Sequence, residues 1–297
     1  VAPMLLALEE VQRFDLRSLL VALGLATLSP AAKRRAARRL LVTSSLFGLV
    51  RPGDRIAIVS ANNHYFMELV FAAAKLGAIA APVNTRLSAI EIEKLLSTAE
   101  PKVLFLGAEV AEQAPPEGAI ASLAVQLTPQ SYDELIAGAD ATDPGYEASA
   151  DETAILLFSS GTTGLPKGAM LSNANYVCKT DGVAGPWHLG PDAVSMAVMP
   201  LFHMAGFGWA LAGLWEGATT VVLRDVDPQA ILDAVDRHNI TNMLLVPAVI
   251  QFLLDTPGLD DVDFSGLRVI VYGASPISDD VLVRGMRRFG RIFAQVY

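Results

Sequence analysis

The feature that most constrains the fold is an alternation of two patterns from about Arg51 onward. Short runs of apolar and β-branched residues, typical of buried strands, alternate with longer segments of helical periodicity. This order predicts an α/β structure in which helices pack on sheets. The predicted strands are Arg55–Ser60, Ile79–Val83, Lys102–Leu106, Thr153–Phe158, Thr219–Leu223, Asn242–Val246, Arg268–Tyr272 and Arg291–Val296, and the predicted helices are Tyr65–Leu76, Ala89–Ala99, Ser131–Ala137, Gln229–His238, Ala248–Asp255 and Asp279–Phe289.

Composition excludes several classes of function. With 297 residues, of which 52% are hydrophobic and 18% charged, the chain is globular and long enough for one large domain or two ordinary ones. Twenty-two basic and 31 acidic side chains give a net charge of −9, so the overall field repels phosphate backbones. We therefore expect no nucleic-acid partner.

Hydropathy and cysteine content bear on the compartment. The mean hydropathy is +0.41, yet the longest apolar stretches, Leu19–Leu28 and Met204–Trp215, fall short of the ~18–20 residues of a spanning helix. The start of the chain has no basic leader and carries Glu9 and Glu10, and Cys178 has no second cysteine to pair with. A reducing cytoplasm is the expected location.

The segment Phe158–Gly168, FSSGTTGLPKG, carries the strongest chemical signal. It directly follows a predicted strand and contains three glycines, four hydroxyl side chains and Lys167. Glycines let backbone amides approach an anion, hydroxyl groups donate to phosphate oxygens, and the lysine adds a positive charge. The spacing differs from that of the common NTPase phosphate loop. Composition alone leaves a triphosphate loop and an ordinary surface turn equally open.

In residue order, this loop is very similar to the phosphate-loop signature of the adenylate-forming superfamily. That superfamily includes acyl-CoA synthetases, aryl-CoA ligases, peptide-synthetase adenylation domains and luciferases. The resemblance covers about Arg51 to Tyr297 and implies the large N-terminal domain of that fold, an α/β structure of two stacked sheets with helices. Further segments resemble family motifs in the same order along the chain: Ala72–Leu87, Pro200–Gly206, Tyr272–Pro276 and Gln295–Tyr297.

The resemblance assigns roles to individual residues. His203 matches a pocket histidine near the acyl carboxylate and the adenylate, and we expect it to act in catalysis together with Lys167 and Thr163. From the residues alone, a buried core histidine beside Phe202 and Phe207 is the alternative. No metal ligand is predicted in this chain. The implied ATP-binding residues are Ser159, Ser160, Gly161, Thr162, Thr163, Gly164 and Lys167 for the phosphates, Gly273, Ala274 and Ser275 for the adenine, and Tyr297 against the face of the adenine ring.

The implied reaction is the ATP-dependent activation of a carboxylic acid to an acyl-adenylate and then to acyl-CoA. ATP, Mg²⁺ and coenzyme A are its implied cofactor and co-substrates. Carboxylate attack on the α-phosphorus needs positioning and charge neutralisation, and no general base, because a carboxylate is already ionised. Two alternatives stay open: an adenylation domain for an aryl acid or a carrier protein, and a non-catalytic binding remnant.

The segment after His203 bears on the substrate. Met204–Trp215 is apolar on all sides, which suits either a helix that lines an alkyl channel or a core helix. No acidic residue occurs between Met196 and Trp215 to meet a substrate ammonium group, so an apolar acid is favoured, first a medium-to-long-chain fatty acid. The predicted acid-binding residues are His203, Phe207, Trp209, Ala210 and Gly213.

The organisation that we expect has three parts: an atypical segment 1–50, a first α/β subdomain 51–185 and a second, truncated one 186–297. The basic run Lys33–Arg39 is an ordinary solvated helix, a contact with a membrane surface, or part of a divergent segment. In the family, an acidic Mg²⁺ ligand and a C-terminal domain with a catalytic lysine follow the motif that opens with Gln295–Tyr297. We therefore expect residues 1–297 alone to lack full ligase activity.

Overall fold

The computed structural model describes residues 50–116, 119–120, 123–137, 145–159 and 167–296. The segment 1–49 with its basic run Lys33–Arg39, the loop residues 160–166 and Tyr297 lie outside this part. The described residues up to Lys179 belong to one compact unit and those from Thr180 onward to a second, so the division falls within a helix. Each unit contains a sheet with helices, which confirms the predicted α/β class.

The first unit is built on a six-stranded sheet in the order β4-β3-β1-β2-β5-β6. The strands are parallel except β6, which pairs antiparallel with β5 and forms an edge. In chain order the elements are β1 Arg55–Val59, α1 His64–Lys75, β2 Ile79–Pro82, α2 Ala89–Ala99, β3 Val103–Gly107, a 3₁₀ turn Ala108–Gln113, β4 Leu123–Leu127, α3 Pro129–Ala137, β5 Thr153–Phe158 and β6 Gly168–Ser172.

Local signals explain where the helices of this unit begin. The Asn63 side chain accepts a hydrogen bond from the Phe66 backbone N–H at 2.9 Å and caps α1. Ser88 and Glu91 form a reciprocal capping box at the start of α2. Ala57 and Val59 of β1 pack in one core cluster with residues of α2, whereas the alternate β1 residues are directed to the other face and are also buried. Burial on both faces is typical of a parallel sheet between helices.

The second unit is built on a five-stranded, wholly parallel sheet in the order β11-β10-β9-β7-β8. Helix α4, Asn173–Ala184, joins the two units in sequence. The further elements are β7 Val194–Ala197, α5 Met204–Trp215, β8 Thr219–Val222, α6 Pro228–His238, β9 Asn242–Leu245, α7 Pro247–Leu254, a 3₁₀ turn Leu259–Asp261, β10 Val269–Gly273, α8 Asp279–Phe289 and β11 Phe293–Val296.

A buried polar network fixes the loop before β7 in this unit. The fully buried Asn242 donates from Nδ2 to the carbonyl oxygens of Trp187 at 2.6 Å and His188 at 3.1 Å. The Trp187 ring lies 5.1 Å from that of Trp209, whose indole N–H donates to the Met196 carbonyl at 3.0 Å. These hydrogen bonds and the contact between the two indole rings together hold the loop, helix α5 and strand β7 in place.

Four elements were not predicted from the sequence. The stretch 107–151, predicted to be loop-rich with one short helix, also contains strand β4, and β6, α4 and β7 have no counterpart among the predicted elements. The apolar run of β7 is interrupted by Ser195, which is fully buried, and β6 is a largely exposed edge strand that begins with Gly168. Short strands with polar or glycine positions give a weak periodic signal. Among the described helices, none is long and apolar enough to cross a membrane.

Candidate active site

Topology locates a crevice at the carboxyl edge of the second sheet. The chain passes from β7 to its neighbour β8 and then crosses to β9 on the opposite side of β7. In open α/β sheets, ligands bind where the strand order reverses in this way, outside the carboxyl ends of the strands. His203 follows β7, and the turn Gly273–Ser275 begins at the last residue of β10, which lies next to β9. The sheet thus brings two of the predicted motifs to one edge. Because only β9 separates β7 from β10, the axes of these two strands lie about 10 Å apart.

His203 is exposed and forms the N-cap of α5. Its Nδ1 accepts a hydrogen bond from the Ala205 backbone N–H at 3.3 Å. In a neutral imidazole whose Nδ1 is the acceptor, the proton lies on Nε2. The ring therefore offers an Nε2–H donor, and its exposure rules out the alternative of a buried core histidine.

The first turn of α5 is held against the chain that precedes it. The His203 backbone N–H donates to the Pro200 carbonyl at 3.0 Å. A Cβ added at Gly206 would lie 2.2 Å from the carbonyl oxygens of both Met199 and Pro200, so only glycine allows this approach. The glycine three residues after His203 thus fixes the position from which the imidazole projects.

The turn after β10 is backbone-constrained. A Cβ at Gly273 would lie 2.2 Å from the Val296 carbonyl oxygen of the adjacent strand β11. Ala274 has a φ of 68°, in the left-handed region that alanine rarely adopts. Ala274 and Ser275 are exposed. Strain of this kind occurs preferentially at functional sites.

The predicted acid-binding residues of α5 are buried. Phe207, Trp209 and Ala210 are at most 2% exposed. A Cβ at Gly213 would lie 3.3 Å from the hydroxyl oxygens of Ser195 and Thr220, which places this glycine against strands β7 and β8. Gly213 therefore lies on the face of α5 that packs against the sheet. That these residues contact an acid stays a prediction.

The predicted phosphate loop belongs to the first unit, where it joins the antiparallel strands β5 and β6. Its first and last described residues, Ser159 and Lys167, are exposed. The Ser159 backbone N–H donates to the Lys167 carbonyl at 2.9 Å, which closes the base of the loop. The remaining predicted phosphate-binding residues, Ser160, Gly161, Thr162, Thr163 and Gly164, lie outside the described residues, as does Tyr297.

The first unit has a crevice of the same kind at the carboxyl ends of β1 and β3, where its strand order reverses. There the Glu109 carboxylate accepts hydrogen bonds from the Ala61 backbone N–H at 2.5 Å and from the Ser60 hydroxyl at 3.2 Å. The Glu109 carboxylate therefore binds the Ser60 hydroxyl and the Ala61 backbone N–H at this edge of the sheet. No local pattern in the sequence identifies Glu109, because its partners lie 48 and 49 residues away along the chain.

Two ionisable groups near α4 have shifted pKa values. Burial lowers the pKa of Lys179 to about 8. At the end of α5, burial and the nearby Asp181 carboxylate raise the pKa of Glu216. The sequence singled out neither residue. In the described part of the chain, no cluster of three or more His, Cys, Asp or Glu side chains could hold a metal ion.

The chain is similar to a known protein family and to several curated proteins. A family model described as AMP-binding enzyme matches residues 31–297. A fatty acid–[acyl-carrier-protein] ligase of Streptomyces coeruleorubidus is 32% identical over 284 residues, which cover 91% of this chain and 53% of that protein. A feruloyl-CoA synthase of an Amycolatopsis species is 34% identical over 250 residues, covering 84% of this chain and 49% of that protein.

A solved structure shows the same fold. The inhibitor-bound N-terminal domain of FACL13 from Mycobacterium tuberculosis matches with a TM-score of 0.80 and 25% identity, over 90% of this chain and 68% of that one. The chain spans about half the length of the curated relatives that it matches.

Proposed function

The chain belongs to the AMP-binding enzyme family, and we propose that it is the nucleotide- and acid-binding part of an acid–thiol ligase that activates a carboxylic acid with ATP. The observation that carries this proposal is the family match over residues 31–297, which includes the loop Ser159–Gly168, His203 and the turn Gly273–Ser275. The positions of His203 and of that turn at the carboxyl edge of one parallel sheet support it.

The first step is a displacement at the α-phosphorus of ATP. A carboxylate oxygen of the acid forms a bond to this phosphorus, and the bond to the bridging oxygen of pyrophosphate breaks. The products are an acyl-adenylate and pyrophosphate. In the second step the sulfur of a thiol forms a bond to the acyl carbon and loses its proton to solvent, while the bond from the acyl carbon to the phosphate oxygen breaks and AMP leaves with the electron pair. Since the carboxylate is ionised near pH 7, the protein supplies position and charge rather than a base.

Individual residues support these steps by binding and orientation. The Nε2–H of His203 donates to the oxygen of the acid or the adenylate, and the amino terminus of α5 next to it favours negative charge. Lys167 and Thr163 bind phosphate oxygens from the loop, with Ser159, Ser160, Gly161, Thr162 and Gly164. The turn Gly273–Ser275 and the Tyr297 ring hold the adenine.

A medium-to-long-chain fatty acid is the proposed substrate, bound beside α5 by His203, Phe207, Trp209, Ala210 and Gly213. The wholly apolar sequence of α5 supports an apolar acid. Coenzyme A is the proposed thiol. A carrier protein is the second candidate for the acceptor, because one relative is named as a fatty acid–[acyl-carrier-protein] ligase. An aryl acid is the second candidate for the substrate, because another relative is named as a feruloyl-CoA synthase.

Mg²⁺ would neutralise charge on the departing pyrophosphate. The described residues provide no cluster that could hold a metal ion, so we assign no metal ligand in this chain and no step to the ion.

We place the reaction in the cytoplasm. Contact of Lys33–Arg39 with an anionic membrane surface is the alternative, which cosedimentation with anionic vesicles would decide.

ATP binding tests the proposal. We expect calorimetric titration with ATP and Mg²⁺ to detect binding, and ATP at ten times Kd to stabilise the protein by about 1.4 kcal/mol. The double variant Lys167→Ala, Thr163→Ala should bind at least about tenfold more weakly, because it loses a charge-assisted hydrogen bond and a donor. Lys94→Ala, which removes an exposed lysine from α2, is the matched control and should bind like the wild type. Equal affinity of the double variant and the wild type would contradict the assignment of the loop.

A further inference from the structure

Two hydrogen bonds of different kinds join the residues at the base of the predicted phosphate loop. The Ser159 backbone N–H donates to the Lys167 carbonyl oxygen at 2.9 Å. In the other direction, the Lys167 backbone N–H donates to the side-chain Oγ of Ser159 at 3.2 Å. In a regular antiparallel rung both bonds join backbone groups. Here the serine hydroxyl supplies the second acceptor, so the rung depends on the side chain at position 159.

The strands below this rung are fixed by packing. Phe158 of β5 pairs with Gly168 of β6. A Cβ at Gly168 would lie 2.7 Å from Leu156 Cδ1 and 3.4 Å from the Phe158 ring, so β6 lies close against the β5 side chains. Lys167 directly precedes Gly168, the first residue of this closely packed strand pair. The Lys167 backbone is therefore held by the strand pair on one side and by Ser159 on the other.

We propose that Ser159 is a positioning residue that acts through Lys167: its Oγ holds the lysine backbone at the base of the loop and so sets the point from which the exposed ammonium group reaches the triphosphate. This inference rests on the proposed function. A hydroxyl that accepts from the Lys167 N–H still has its own proton to donate, so the assignment is compatible with phosphate binding by the same side chain. The contribution of Ser159 to triphosphate binding therefore depends on the presence of the Lys167 side chain.

The rung itself can be tested without nucleotide. In the full chain, amide hydrogen exchange at Lys167 is compared for the wild type, Ser159→Ala and Ser159→Thr. Alanine removes the acceptor, whereas threonine keeps an Oγ at the same place. We expect about five- to tenfold faster exchange in Ser159→Ala, the effect of losing one ordinary hydrogen bond, and near wild-type exchange in Ser159→Thr. Unchanged exchange in Ser159→Ala would overturn the inference.

The positioning role is tested by comparing ATP with AMP. Ser159→Ala should weaken binding of ATP with Mg²⁺ about five- to tenfold and that of AMP less than about twofold, because a displaced lysine affects the triphosphate. Ser159→Thr should restore ATP affinity. Ser265→Ala, which removes a serine hydroxyl that donates to Asp263 in the second unit, is the control and should leave both affinities unchanged.

A double-mutant cycle separates this role from a direct contact. If Ser159 acts through Lys167, the losses in ATP affinity caused by Ser159→Ala and Lys167→Ala should be less than additive in the double variant. Additive losses, or equal losses of ATP and AMP binding, would overturn the inference. A wild-type chain that shows the expected exchange pattern but binds no ATP would contradict the proposed function instead.

Discussion

At the scale of single residues, close backbone approach decides several identities at the candidate site. Gly206 lies against two carbonyl groups, Gly273 lies against a neighbouring strand, and Ala274 adopts a left-handed conformation. Each belongs to a segment that the sequence singled out for its motif. The structure adds the reason: at these positions the backbone, rather than a side chain, determines the geometry around His203 and the turn after β10.

Gly206→Ala should destabilise the protein and weaken ligand binding near His203. The added Cβ would lie 2.2 Å from two carbonyl oxygens, so the first turn of α5 must move. We expect a loss of about 1–3 kcal/mol in urea unfolding, typical of overpacking. Gly182→Ala in α4 is the matched control: its Cβ would meet nothing within 4 Å, and helix propensity predicts a gain of about 0.5–1 kcal/mol. Equal effects of the two substitutions would show that the approach at Gly206 is not tight.

Ala274→Gly should stabilise the fold. Alanine at a φ of 68° carries a steric cost of about 1 kcal/mol that glycine does not. Part of this gain is offset because glycine has a more flexible unfolded state, so we expect a net increase of about 0.5 kcal/mol in the free energy of unfolding. Ala274→Val should instead be destabilising, since a β-branched side chain is a worse fit at positive φ. A stability order in which valine exceeds glycine would contradict the strain.

At the scale of elements, helix α4 carries a cationic group in an unfavourable place. Lys179 is partly buried, and burial lowers its pKa from 10.5 to about 8. Below about pH 8 the lysine is charged in both the folded and unfolded states, and the cost of burying that charge is fully present. Between about pH 8 and 10.5 the unfolded chain binds the proton that the folded chain has lost, so stability from this group rises with pH.

Lys179→Met should therefore raise the free energy of unfolding at pH 7, by about 1–3 kcal/mol. The advantage over the wild type should shrink as the pH approaches 10.5, where the wild-type lysine is neutral when folded. The measurement is urea unfolding of both proteins at several pH values. Lys94→Met, at an exposed position of α2, is the matched control and should change the free energy of unfolding at pH 7 by less than about 0.5 kcal/mol. A growing advantage at high pH would contradict the direction of the shift.

At the scale of the whole molecule, the first four strands of each unit follow the same order in their sheet. In each, the second strand lies on one side of the first and the third strand lies on the other, which creates a crevice at the carboxyl edge. In the first unit Glu109 binds the donors at that edge, whereas in the second unit the exposed His203 lies there. The same architecture thus serves packing in one unit and the candidate site in the other.

The sequence by itself determined the fold class and the motifs. Apolar runs such as Arg268–Tyr272 and the order of strands and helices depend on local residue pattern, and the loop Ser159–Gly168 is recognisable from its own residue order. For the same reason the strand positions in the core are close to those predicted. Strand β4 lies in a stretch of weak periodicity, the exposed edge strand β6 begins with Gly168, and Ser195 interrupts the apolar run of β7, so none of the three gives a clear periodic signal.

Only the tertiary structure decided which groups meet. Helix α5 is apolar on every side, so no polar stripe in its sequence could indicate which face packs on the sheet, and the structure turns Gly213 toward Ser195 and Thr220. Likewise, strand order is set by pairing between distant segments, so neither the crevice beside His203 nor the contact of Glu109 with Ala61 follows from local pattern. Local chemistry identifies the candidate groups, and long-range packing determines how they are arranged.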